Sequence, residues 1–381
     1  MRENKFKLIG ILVLTFLVIP LKILEAKMLK TENCKYYDGG SDDAAYAVAV
    51  DGKNNIIVTG YSNNGSDLDA LTIKYDSDLS IIDSMVYKGE SEYIDAKAYK
   101  MVVDKDDNII VAGFMWYYYS WLCYIVKYDS DLRAINSATY ESTYYVDDRA
   151  RALAVDKNNN IIDVGKKRDD KSTWDYYLIR YDSNLAKPAS ATYDSGNHDY
   201  AYGVAIDKDN NIIVAGTSNN EKNGDYRIVK YSYRDLSIMK SVKYDSGDDD
   251  QCRGVAVDTN NNIIVTGYVY TGSNYDYRTI KYDRDLNELA SVTYDSGSND
   301  RAEGIAIDEN NNIIITGYIH NGSDNDYHTI IYGPDLTELA SATYDSKGDD
   351  KAYGVALDKK GDIIVVGSSK NDYCTIKYKI E

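Results

Sequence analysis

One fourteen-residue string recurs seven times along the chain, and that repetition restricts the fold more than any other feature. Its form is Gly-Val-Ala-[Ile/Val]-Asp-x-x-x-Asn-Ile-Ile-Val-x-Gly, with small changes from copy to copy. Its aspartate falls at Asp51, Asp104, Asp156, Asp207, Asp258, Asp308 and Asp358, so successive copies lie 53, 52, 51, 51, 50 and 50 residues apart. A unit of that length cannot bury both its faces alone, so such a period marks a propeller or a solenoid.

Each unit carries four short β signals. In the fifth copy they are Cys252–Val257, Ile263–Tyr268, Tyr277–Tyr282 and Leu289–Tyr294, rich in β-branched and aromatic residues and bounded by Asp, Asn and Gly. Asp258–Asn262 is turn chemistry, since Asn and Asp tolerate left-handed backbone and cap their own amides. No helical period follows residue 30. The expectation is an all-β, seven-bladed β-propeller of four-stranded antiparallel blades spanning residues 31–381. In the first strand, small residues such as Ala201, Gly203 and Ala205 alternate with Tyr202, Val204 and Ile206, which suits nested sheets around an axis. The last copy stops after its third strand, and Cys34–Asp38 matches the fourth strand of copy five. The N-terminal segment is therefore expected to supply the outer strand of the last blade and close the ring.

The first 26 residues read as an export signal: Arg2, Lys5 and Lys7 precede an apolar run from Leu8 to Leu21. The alternative is an uncleaved anchor over residues 8–24. Either places the remainder outside the cytoplasm, secreted or held at the membrane by that segment alone. The formal net charge is −18, which disfavours nucleic acid as a partner and suits cations or basic surfaces.

The strings at 349–369 (DDKAYGVALDKKGDIIVVGSS) and 299–332 (NDRAEGIAIDENNNIIITGYIHNGSDNDYHTIIY) resemble the SBBP, or seven-bladed β-propeller, repeat and are similar to NHL-type repeats. The resemblance covers about residues 34–378. It implies binding, scaffolding or surface display more than catalysis, because such propellers serve many roles.

Of the four cysteines, Cys34 and Cys374 fall on the outer and third strands of the closing blade. With the neighbouring turn centred as at Arg284–Asp285, they are expected to face each other and form a disulfide across the closure. Cys252 replaces alanine in a first strand and reads as a small buried hydrophobe.

Three sets of residues are candidates for a site. Asp43, Asp148, Asp199, Asp250, Asp300 and Asp350 open the first strands, and Asp69, Asp175, Asp225, Asp276, Asp326 and Asp372 open the third strands. Both sets are expected on one face, either capping turns or offering oxygen to a cation such as calcium. Phe114–Trp121 breaks the repeat with Trp116, Tyr117, Tyr118, Tyr119 and Trp121, and Trp174 holds the corresponding place in the next copy. An aromatic platform for a sugar or an apolar partner is one reading, and a local core is the other. Five residues before each anchor aspartate stand Tyr46, Tyr99, Arg151, Tyr202, Arg253, Glu303 and Tyr353. They vary in charge where the strand around them does not, so an anionic ligand at a channel mouth is weighed against inter-blade packing.

No catalytic motif appears, and no cofactor other than possible calcium is implied. The function expected is an exported, non-catalytic binding or scaffold propeller that recognises carbohydrate or protein at the cell surface. A polysaccharide lyase or glycosidase using the channel mouth and a purely structural surface-layer component are the alternatives.

Overall fold

The computed structural model describes residues 28–88, 95–117, 120–140, 149–168, 173–186 and 188–380. These form seven four-stranded antiparallel sheets, and among the described residues there is no helix. Six sheets run in chain order. We name the strands of each blade a to d from the axis outward. In blade five they are Asp250–Val257, Ile263–Tyr270, Tyr275–Tyr282 and Glu288–Tyr294, within two residues of the four sequence signals. The a strands of consecutive blades touch all the way round, and that of blade seven (Asp350–Leu357) packs on that of blade one (Ala44–Val50). The chain is a closed seven-bladed β-propeller.

The seventh sheet takes its outer strand from the other end of the chain. Leu29–Tyr37 pairs antiparallel with Asp372–Ile380, so strand d of the last blade precedes blade one in sequence. This removes the free edge that an open array would expose.

The anchor aspartates organise the a–b turns. Asp258 Oδ1 accepts the N–H groups of Asn260 and Asn262 at 2.9 and 2.8 Å, and its Oδ2 accepts the Asn262 side-chain amide at 2.8 Å. The third residue after each anchor has positive φ, and it is Asn, Asp or Gly in every blade. The anchor turn is thus a hairpin turn, with no need of a cation.

The c–d turns depart from expectation. Leu79, Leu132, Leu185, Leu236, Leu286 and Leu336 all sit at positive φ with their side chains buried. Burying a leucine stabilises by roughly 1.5–3 kcal/mol, enough to offset the roughly 1–2 kcal/mol cost of left-handed backbone. Five of these six turns carry a one-residue bulge, as between Lys281 and Tyr282, and beyond it the c–d register stands two residues from the one expected. Arg278 pairs with Thr293, not with Ser291. In the closing blade the same shift places Tyr36 opposite Cys374 and Cys34 opposite Ile376. The direct opposition expected of the two cysteines is therefore corrected. They are diagonal neighbours with Sγ atoms 3.9 Å apart and are not bonded to each other.

Blades are also joined by a buried ion pair that extends across the junction. Lys74, Lys127, Lys230, Lys281 and Lys377 on strand c reach the anchor aspartate of their own blade at 2.8–3.1 Å. Each ammonium also donates to a carbonyl in the c–d turn of the next blade: Ser130, Ser183, Arg284, Pro334 and, across the closure, Ser77.

Asp163 is a carboxylate set into the b-strand core. It stands where blade four has Val214, it is 6% exposed, and its Oδ1 has no hydrogen-bond partner. Burial pushes its carboxyl from 3.8 up to about 8. The folded chain thus holds this proton more tightly than the unfolded chain does. Stability should fall as pH rises from 3.8 towards about 8, then level off. Asp163→Val should raise the denaturant midpoint at pH 8 by an amount equivalent to several kcal/mol and flatten that pH slope. Chemical denaturation of both proteins at pH 5 and pH 8 measures both effects.

Candidate functional site

Strand a carries a bulge in every blade, between Cys252 and Gly254 in blade five and at equivalent places in the other six. The extra residue, five before the anchor, leaves the ladder, and a bulge re-aims its side chain. The sequence alternation of small and large residues does not survive this slip. All seven side chains at that position, Tyr46, Tyr99, Arg151, Tyr202, Arg253, Glu303 and Tyr353, line one cavity of about 260 Å³ on the axis. Lys100 and Tyr318 complete its wall. A second void of about 180 Å³ continues along the axis between glycines and alanines such as Ala47, Ala152 and Gly203. Lys100 occupies the place of those small residues, so its chain fills the space they leave.

The cavity has an aromatic side and a charged side. Tyr46 stacks on Tyr99 at 4.5 Å and packs against Tyr353 at 4.9 Å. Opposite, the guanidiniums of Arg151 and Arg253 lie 5.1 and 4.5 Å over the Tyr202 ring. Arg253 Nη2 donates to Tyr268 Oη at 3.1 Å, and its Nε is 3.6 Å from Glu303 Oε2. Burial opposes the charge on Arg253, but Glu303 and the two tyrosines outweigh it and hold its pKa above the usual value. Burial lowers the Lys100 pKa, with Glu303 pulling back and the two arginines adding to the depression. Three cations therefore face one carboxylate in a chain whose net charge is −18. Sequence reasoning missed Lys100 and Tyr318. The substitution of lysine for Gly or Ala was visible, but its aim into the channel depends on the bulge.

The aromatic run is part of a hairpin, not a loop. Strand b of blade two is Ile109–Tyr117 and strand c is Ser120–Tyr128, with Trp116 opposite Trp121 and Tyr117 opposite Ser120. Tyr118 and Tyr119 lie outside the described residues. Phe114, Met115 and Leu122 are buried, and Met115 and Leu122 join the core shared by blades one and two. Trp116 remains 37% exposed. Trp174 is half-buried under the Lys166 ammonium, 3.7 Å from its ring centroid. The run thus divides into a local core and an exposed indole.

The carboxylates cluster more tightly than the two expected sets alone imply. Asp43, Asp199, Asp250, Asp300 and Asp350 are almost wholly buried, while Asp148 lies outside the described residues. Four of them accept the backbone N–H of the serine in the preceding d–a turn at 2.7–2.8 Å, the capping role foreseen for them. A third aspartate, just after strand d, joins each. The groups are Asp175 with Asp194 and Asp199, Asp225 with Asp245 and Asp250, and Asp276 with Asp295 and Asp300. Asp326 with Asp345 and Asp350 makes the fourth, and Asp38 with Asp43 and Asp372 the fifth. One oxygen from each member lies within 4.8 Å of the others. Burial pushes Asp250 and Asp300 up to about 6, against their serine hydrogen bonds and with the adjacent carboxylates adding to the rise. The third aspartate follows a tyrosine in all five clusters, within Tyr-Asp-Ser-Gly at Asp194, Asp245 and Asp295, and that repetition was the available sign.

No family model matches this chain, and no curated relative matches it. Solved propellers do. The WD40 domain of Neurospora crassa Pan2 superposes with a TM-score of 0.59 at 10% identity, covering 92% of this chain and 95% of that one. Chaetomium thermophilum Sqt1 gives 0.55 at 10% identity, over 91% and 98%. Drosophila Plexin A, in complex with Semaphorin 1b, gives 0.56 at 8% identity, over 93% and 88%. At such identities the likeness shows the fold, which agrees with the ring described above.

The two halves of the aromatic run should separate in mutagenesis. Phe114→Ala should cost roughly 3–5 kcal/mol of unfolding free energy, whereas Trp116→Ala should cost well under about 1.5 kcal/mol. Guanidinium titrations of the two variants measure the difference.

Proposed function

We propose that the chain is an exported, non-catalytic binding propeller that recognises carbohydrate or protein at the cell surface, and that an anionic group of that ligand enters the channel mouth. One observation carries the reading: Lys100, Arg151 and Arg253 converge on a cavity where, among the described residues, Glu303 is the one lining carboxylate. Guanidiniums held on tyrosine rings are oriented before the ligand arrives, and such fork-shaped donors match carboxylate or sulfate oxygens. The stacked rings of Tyr46 and Tyr99 offer the apolar surface that a sugar face or a peptide side chain requires. Hydrolysis of a glycosidic bond generally uses a pair of carboxylates, so the single glutamate favours binding over that chemistry. The export signal and the SBBP-type assignment of the repeat belong to this proposal and rest on the sequence strings alone. Protein partners fit it too: Sqt1 has been solved bound to the N-terminus of ribosomal protein L10.

An acidic polysaccharide such as polygalacturonate, set against a neutral one such as dextran, tests the reading. The acidic polymer should bind and the neutral one should not. Arg151→Gln with Arg253→Gln should weaken binding about tenfold or more, and raising salt should weaken it further. Equal binding of both polymers, or binding untouched in the double variant, would falsify the channel as the site.

A further inference from the structure

The carboxylate clusters stand apart from the channel and have their own logic. Each joins strand c of one blade, the connection that follows strand d, and strand a of the next blade. Asp276, Asp295 and Asp300 belong in that order to blade five, the connection and blade six. The cluster of Asp38, Asp43 and Asp372 spans the ring closure itself.

Two further observations point to a missing positive charge. Asp225 and Asp326 are 2% and 4% exposed, and the Oδ1 atom of each has no hydrogen-bond partner. Their Oδ2 atoms are already held by the side-chain amides of Asn220 and Asn321 at 3.1 and 2.8 Å, which leaves Oδ1 for the cluster. Blade one then shows what the position accepts. There Lys88 replaces the aspartate after strand d, and its ammonium lies 3.2 Å from Asp69 Oδ2. Ala96 stands there in place of the a-strand aspartate as well, and the chain supplies its own cation to the carboxylate that remains. Lys243 does so in part for Asp225 and Asp245, at 3.4 and 2.8 Å. Asp276, Asp295 and Asp300 have no ion pair among the described residues.

We propose that these clusters are calcium sites, each fastening one blade to the next. The donors are all oxygen, as a hard cation requires. Oxygens sharing one calcium at roughly 2.4 Å lie at most roughly 4.8 Å apart, and one oxygen from each member of every cluster lies within that limit. Turn amides fix the ligands beforehand: Gly297 N–H holds Asp295 Oδ1 at 2.6 Å, and Ser296 holds both oxygens of Asp300. A proton relieves repulsion at a single carboxylate, whereas a divalent ion satisfies all three together.

The full-length chain, stripped with chelator, is titrated with calcium chloride in a calorimeter and melted with and without calcium. Several ions should bind per chain at sub-millimolar to millimolar concentration, and Tm should rise by several degrees. Sodium chloride at matched ionic strength should not reproduce that rise. Asp295→Lys, which places beside Asp276 and Asp300 the lysine that blade one carries at this position, should raise the Tm of the calcium-free protein and reduce the number of ions bound. Asp276→Asn with Asp300→Asn should reduce the number bound without that gain, so the test survives if the lysine variant does not fold. Absence of binding heat, an equal Tm rise with sodium chloride, or unchanged stoichiometry in the variants that fold would each overturn the proposal.

Discussion

The buried ammonium that ties five of the anchor aspartates to the next blade is the contact on which the ring depends. An unpaired charge beneath a β-turn is costly, and removing one partner of such a pair typically costs about 3–5 kcal/mol. Lys281 meets Asp258 in its own blade at 3.1 Å and the Pro334 carbonyl of the following blade at 2.8 Å. Neither blade satisfies that group alone, so the polar interactions of one unit are complete only when its neighbour is folded. Lys377 carries the same link from the last blade to Ser77 of the first. Blades three and six depart from the scheme: Arg180 replaces the lysine in one and donates to the Tyr233 carbonyl, and Ile331 replaces it in the other, leaving Asp308 with the Asn312 contacts that the other turns also make.

Much of the scaffold could be read from the repeat because its period and turn chemistry are local. The anchor spacing implied seven units, and the missing final strand implied closure by the N-terminal segment. The Asn-rich turns implied tolerance of left-handed backbone, which the structure places three residues after the anchor. What escaped was non-local. Leu286 adopts a left-handed backbone because the core rewards its side chain, and no turn rule anticipates a buried leucine there. In the closing blade, where no turn joins the two strands, a register shift between Thr31 and Asn33 accompanies the pairing that sets Cys34 opposite Ile376. The bulge in strand a likewise follows from close packing, since a Cβ on Gly317 would stand 2.0 Å from the Arg301 carbonyl oxygen. That geometry turns the varied position, Tyr202 and its equivalents, into the channel lining.

The repeat also separates support from specificity. The a–b and c–d turns lie at one end of the blades and are nearly uniform, with Asp, Asn and Leu in fixed places. The b–c and d–a connections lie at the other end, where the chain departs from its pattern. There Trp116 replaces a polar residue and Lys88 replaces aspartate, and within strand a Lys100 replaces glycine. Uniform positions answer to ring geometry, which is the same at every junction. Departures from it answer to something outside the ring.

Charge at that end is layered, and the layers constrain one another. The carboxylate clusters form an outer acidic circle, while the channel inside it is cationic. Arg253 lies three residues along its strand from Asp250, roughly 10 Å away. That is about one Debye length at moderate salt, so bare carboxylates would repel an anion before it reached the arginines. Neutralising the rim with divalent ions would remove that barrier and leave the channel cations unchanged. If both proposals hold, affinity for an acidic ligand rises with calcium even though no calcium touches it, and a channel variant loses the affinity without losing the calcium.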